Sequence, residues 1–180
     1  DVVNNWNRVF DPTNAAFSGP GEPLESARTE RSYSTDLKWL STSSCDRVYH
    51  SIANTDTGLE GGIFYSDDKG LSWTADTLNG SSPLLKMPVN SLLVKNNFIW
   101  AGVGDRNGRS SETGIRARLS LCGSSSWWEP THTDPLFSTI QSSYIADLDG
   151  VDTPTSTTLS GVVYIASESL VVKGELLNSA

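Results

Sequence analysis

Several groups of residues in this 180-residue chain have the type and spacing to do chemistry. Asp147, Asp149 and Asp152 fall in Asp147-Leu148-Asp149-Gly150-Val151-Asp152, an oxygen-rich spacing of the kind that can hold calcium. The stretch lacks the downstream bidentate Glu of an EF-hand loop. Asp-Gly between two apolar runs is also hairpin chemistry, so a turn is the expectation and calcium the testable alternative. No other cofactor is implied. Arg106 and Arg109 lie in Gly104-Asp105-Arg106-Asn107-Gly108-Arg109-Ser110-Ser111, a polar loop suited to meeting a ligand. In Trp127-Trp128, strand alternation sends one ring under a sheet and the other, Trp128, outward, where it can stack on a sugar, anchor a protein contact or cover an edge. Glycoside hydrolysis needs two carboxyl groups facing each other across a cleft. Glu60, Asp105, Glu112 and Asp134 are acidic and in loops, where a solubilising surface role is the ordinary one.

The cysteine count adds little chemistry of its own. Cys45 and Cys122 are the two cysteines, and neither sits in a Cys-x-x-Cys or Cys/His cluster, so a zinc site is not expected. Asn79-Gly80-Ser81 is an N-glycosylation acceptor pattern, which matters if the source is a eukaryotic secreted protein. Arg116 and Arg118 alternate with Ile115, Ala117 and Leu119, so both are expected on the solvated face of a strand whose other face is buried.

The elements that position these groups are strands. Gly62-Ile63-Phe64-Tyr65 reads as one strand and Leu71-Ser72-Trp73-Thr74 as its returning partner. Between them, Asp67, Asp68 and Lys69 supply turn formers and Gly70 tolerates positive φ. Trp73 is expected to fold back onto the sheet. The hairpin has a degraded copy: Gly114-Ile115-Arg116-Ala117-Arg118-Leu119-Ser120 leads to Ser126-Trp127, 54 residues from one tryptophan to the next. Upstream of each hairpin lies a pair of apolar segments, 37–40 with 48–52 and 91–94 with 98–103. A third copy runs from Ser143 through Val162–Ala166 to Leu170–Leu177.

Ser66, Asp68, Gly70, Ser72 and Trp73 match Ser-x-Asp-x-Gly-x-(Ser/Thr)-Trp at every fixed position. This resembles the Asp-box of sialidase-type (BNR) β-propellers, a resemblance that extends to sortilin-type and xyloglucanase-type propellers and photosystem assembly factors. In those families the box is structural and lies on the outer rim of a blade. The resemblance implies an all-β fold: a partial β-propeller of four-stranded antiparallel blades, about two and a half to three of them. Residues 35–80, 88–132 and an incomplete 140–180 form the blades; residues 1–34 form an N-terminal strand, Val2–Phe10, and a long polar loop. An open sandwich or meander that mimics the repeat is the alternative. Propellers need about four to eight blades, so further chain, a second subunit or self-association is expected to complete the set. On this frame Cys45 and Cys122 fall on connections at the same face, which permits a disulfide between them; two unpaired or separately partnered residues are the alternative.

Composition excludes some functions. Thirteen Lys plus Arg stand against 21 Asp plus Glu, a net charge of −8 with no basic stripe, which argues against nucleic acid and anionic membranes. No run of 18 apolar residues exists, so no membrane insertion is expected. A catalytic sialidase would carry an arginine triad with a Phe-Arg-Ile-Pro type motif and a Tyr/Glu nucleophile pair, and none of the arginines lies in such a motif. The function expected is therefore that of a non-catalytic binding or assembly module of an extracytoplasmic protein, with carbohydrate a candidate ligand. The rivals are a glycoside hydrolase with catalytic residues partly outside this chain, and a structural subunit of a surface filament or sheath.

Overall fold

A computed structural model describes residues 32–42, 45–54, 61–76, 87–95, 98–108, 110, 112–119, 127–130, 135–152 and 161–176. In chain order these form β1 (Ser32–Thr42), β2 (Cys45–Asn54), β3 (Gly61–Ser66), β4 (Thr74–Ala75), β5 (Val89–Lys95), β6 (Phe98–Val103) and β7 (Gly114–Leu119). A helix, α1 (Pro135–Gln141), then precedes β8 (Ile145–Asp152), β9 (Gly161–Ser167) and β10 (Val171–Leu176). Residues 32–34, expected in the long loop, are the start of β1. The expected strand Val2–Phe10 lies outside the described residues.

Every strand pairs antiparallel with its neighbour in sequence, giving three meanders in succession: β1-β2-β3-β4, β5-β6-β7 and β8-β9-β10. The first strands stand side by side, β5 touching both β1 and β8. The protein is all-β, a partial propeller of three blades packed face to face. In the second blade a fourth strand is marked by Trp128, which exchanges two backbone hydrogen bonds with Ala117 at 2.8 and 2.9 Å.

One irregularity recurs at the same place in each blade. The first strand slips register by one residue between Ser34 and Asp36, between Val89 and Ser91, and between Ile145 and Asp147. The extra residues are Thr35, Asn90 and Ala146. A bulge re-aims the side chains that follow it. The result is a matching pair in every blade: Asp36-Leu37, Ser91-Leu92 and Asp147-Leu148.

The middle blade is buried on both faces. One face, with Leu92, Ile99 and Trp127, meets Leu40, Tyr49 and Ile63 of the first blade. The other, with Leu93, Ile115 and Trp100, meets Leu148, Val163 and Ile165 of the third. Fully burying a Leu or Ile contributes about 1.5–3 kcal/mol, so these two seams hold the blades together. Close approach also dictates a glycine: a Cβ on Gly102 would stand 2.7 Å from Ile145 Cγ2.

Double burial overturns the expectation that Arg116 and Arg118 are solvated. Their shared face of β7 is the one turned to the first blade. Arg118 is buried; its Nη1 donates to Asp76 Oδ1 at 2.5 Å and its Nη2 to the Tyr49 hydroxyl at 2.8 Å. The Trp127 ring lies 5.2 Å from the guanidinium carbon. Arg116 is mostly covered and pairs with Glu112 at 3.2 Å and Glu129 at 3.6 Å. Burial pushes the Asp76 carboxyl above its ordinary range while Arg118 pulls it back. Removing one partner strands the other charge in the core, so Asp76→Ala is expected to cost about 3–5 kcal/mol in a denaturant titration. A loss below about 1 kcal/mol would show that water reaches Arg118.

Candidate functional site

Two polar constructions organise the described residues, one at a hairpin tip and one along the inner strands. The tip is the turn from β3 to β4. Ser66 Oγ donates to Asp68 Oδ1 at 2.7 Å and accepts from the Gly70 N–H at 2.7 Å. Asp68 accepts in turn from the Ser72 N–H at 2.8 Å and from the Ser72 hydroxyl at 2.5 Å. Lys69 and Gly70 both take positive φ, 61° and 89°, which closes so tight a loop. Trp73, half-buried, sets its ring edge against His50 at 5.8 Å. Asp67, in the variable position beside Asp68, is clamped by Arg47 through two bonds of 2.6 and 2.7 Å. The Arg47 guanidinium lies over the Tyr65 ring at 3.8 Å. The turn is thereby locked to β2 as well as to itself.

The second construction was not foreseen from the sequence. Asp36 Oδ1 accepts from its neighbour's N–H, Leu37, at 2.7 Å, and Oδ2 accepts from the Leu92 N–H of the next blade at 2.8 Å. The Ser91 hydroxyl stands 3.5 Å from Asp36 Oδ2 and 3.0 Å from Asp147 Oδ1, and its oxygen accepts from the Leu148 N–H of the third blade at 3.0 Å. Asp147 Oδ1 accepts from Leu148 N–H at 2.8 Å. Lys38 adds an ion pair to Asp36 at 3.2 Å. A polar line thus crosses all three blades at one height. Its signal is readable afterwards: Asp-Leu, Ser-Leu and Asp-Leu recur at spacings of 55 and 56 residues. Beside it, His50 Nδ1 donates to the Asp36 carbonyl at 3.1 Å, and burial lowers the His50 pKa.

The remaining expected residues are not brought into one site. Arg106 is exposed and stands 3.8 Å from Glu168, while Arg109 lies outside the described residues. Trp128 is exposed and meets Phe98 edge-on at 5.7 Å. Asp147 to Asp152 is not a turn: the stretch runs inside β8, with Asp149 opposite Tyr164 and Asp152 opposite Gly161. Asp149 accepts from the Gly150 N–H at 2.7 Å, and among the described residues no three His, Cys, Asp or Glu side chains are grouped to hold a metal. Asp105 is buried and Glu112 is engaged with Arg116. Cys45 is half of a disulfide. Cys122, Asn79, Glu60 and Asp134 lie outside the described residues.

The turn titrates in a defined window. Ser72, through its hydroxyl and N–H, and then the Ser66 hydroxyl hold the Asp68 carboxyl down to about 2. A depressed carboxylate adds stability above its unfolded pKa and loses it as pH falls through the folded one, here from about pH 4 to about pH 2. Asp68→Asn is expected to flatten the pH dependence of the unfolding midpoint across that window. Parallel curves for the two proteins would show that the turn does not hold the ionised form.

No protein-family model matches the chain, and no curated protein matches it. Among solved structures it is similar to an exo-β-1,3-galactanase from Phanerochaete chrysosporium with galactose, at 13% identity and a TM-score of 0.43, covering 78% of this chain and 34% of that one. A variant of that enzyme with β-1,3-galactotriose gives 14% identity and a TM-score of 0.40, covering 73% and 32%. The chain spans about a third of the length of these neighbours, and at such scores neither carries an argument about activity.

Proposed function

We propose that the chain is a non-catalytic binding and assembly module of an extracytoplasmic protein, built on blades of the Asp-box type. The observation that carries this reading is the use made of the inner-strand carboxylates. Both oxygens of Asp36 are committed to backbone N–H groups, one in its own blade and one in the next. Asp147 is committed to Ser91 and Leu148. A glycosidase acid or base has to meet a substrate oxygen or a water instead. These groups join blades.

The Asp-box assignment is supported by the turn, in which Ser66, Asp68, Gly70 and Ser72 form one closed hydrogen-bonded loop beside Trp73. Placement outside the cytoplasm is supported by the disulfide at Cys45, since such bonds persist in oxidising compartments. The exposed Trp128, backed by Phe98, is the described surface best suited to stacking on a carbohydrate. The net charge of −8 disfavours nucleic acid.

The decisive assay is sugar release from aryl glycosides and polysaccharides by the protein and by its Asp36→Asn and Asp147→Asn variants. The expected result is no release that either variant abolishes. Turnover present in the parent and lost in a folded variant would replace the module with a glycoside hydrolase. A second measurement addresses compartment: reducing the Cys45 disulfide is expected to cost about 2–5 kcal/mol, read as a lower denaturant midpoint under reductant. An unchanged midpoint would remove the support for an oxidising environment.

A further inference from the structure

The outer face of the third blade, the one turned away from the second, differs from the corresponding faces of the other two. In each blade a ring sits in the middle of the second strand, paired with the residue two places after the slip: Tyr49 with Lys38, Trp100 with Leu93 and Tyr164 with Asp149. Tyr49 is fully buried against the second blade, and Trp100 packs into the seam with the third. Tyr164 is 39% exposed. What flanks the ring changes as well. Around Trp100 the row is apolar, with Leu93 on one side and Ala117 on the other, both buried. Around Tyr164 it is charged, with Asp149 on β8 and Lys173 on β10, each paired with Tyr164 and each exposed.

Directly paired residues of neighbouring antiparallel strands project to the same side, so Asp149, Tyr164 and Lys173 form one row on this face: negative, aromatic, positive. The row beside it carries Val171, 71% exposed, opposite Ala166. The alternate residues Leu148, Val163 and Ile165 point the other way and are buried against the second blade. The face is therefore an aromatic and aliphatic centre with opposite charges at its two sides. A further sheet like the one the third blade turns to the second, with its Leu148, Val163 and Ile165, would cover both charges with aliphatic side chains. Covering a charge without a counterpart is costly. The face calls for a partner that carries the same two charges in the reverse order.

From this charge pattern we infer that the occupant is the same face of a second copy of this chain, related by a two-fold axis. An axis lying between the two sheets and running along β9 brings Tyr164 onto Tyr164 and sets Asp149 of each copy against Lys173 of the other. An axis running across the strands would instead set Asp149 against Asp149 and Lys173 against Lys173, so charge selects the first. Sheets packed face to face lie about 10 Å apart with their strands about 30° from aligned, which lets the tyrosines and valines fill the middle while the ion pairs close the rim. Tyr is among the residues that anchor such contacts. An isologous contact is complete at two copies, and the first blade takes no part in it. The inference rests on the assembly reading above and names its partner.

The test is light scattering of the purified protein over a series of concentrations, set against the mass of its polypeptide, with Asp149→Lys and Lys173→Asp variants. Both side chains are exposed and neither belongs to the polar line. The expected result is two copies for the parent. Each single reversal sets like charges together at both ends of the row and should raise the dissociation constant about tenfold or more. Mixing the two variants should restore the two-copy particle, because every Lys then meets an Asp, and the double variant Asp149→Lys/Lys173→Asp should dimerise on its own for the same reason. Restoration separates a lost contact from a lost fold. A parent that never reaches two copies overturns the inference. So does a dimer that neither reversal weakens, or one that both weaken and neither the mixture nor the double variant restores. A single copy that releases no sugar removes the dimer and leaves the module; sugar release lost in Asp36→Asn or Asp147→Asn removes the module whatever the copy number.

Discussion

The one-residue slip in each first strand is the constraint on which the rest of the arrangement depends. A strand alternates its side chains strictly, and an inserted residue exchanges the faces from that point on. After the slip, Asp36, Ser91 and Asp147 reach across to neighbouring blades, while Leu92 and Leu148 turn into the seams. Without it, the polar residue and the leucine would trade places. A leucine would then face the hydrogen-bonding line and a carboxylate would enter an apolar seam, the costlier of the two exchanges. The spacing of the blades follows: Gly102 has no Cβ where Ile145, the residue just before the third slip, presses against the second blade.

The hairpin at the rim works on the opposite edge of the sheet. Ser66, Asp68 and Ser72 satisfy the turn's own amides, and the Arg47–Asp67 clamp ties the turn to β2. The first strand of each blade is thus held by bonds to another blade, and the first blade is held at its opposite edge by bonds within the blade. Apolar burial fills the space between. The polar groups carry orientation and the leucines, isoleucines and aromatic rings carry most of the free energy.

Much of this was legible in the chain. The alternation in Gly62–Tyr65 and the turn chemistry of Asp67–Gly70 located the hairpin, and the repeat of tryptophans located the second one. What escaped was whatever depends on neighbours in space. Arg118 alternates like a surface residue, and only a second covered face explains why it is buried with Asp76. Asp147–Asp152 has turn composition but sits in a strand, because pairing with β9 and the seam at Leu148 outweigh local preference. The short helix went unforeseen although Asp134-Pro135 is a helix-start pair, since seven residues show too few turns for a period to emerge. The polar line required knowing that strands 55 residues apart lie side by side.

The middle blade has a neighbour on each face, and each outer blade has one among the described sheets. In a linear array whose units are stabilised chiefly by adjacent units, the terminal ones fray first and the interior one holds the array cooperative. Loosening the second blade would remove the sheet that both β1 and β8 pack against through β5. Tolerance to sequence drift should therefore be lowest in β5 to β7, a gradient set by position in the stack and independent of any ligand the protein meets.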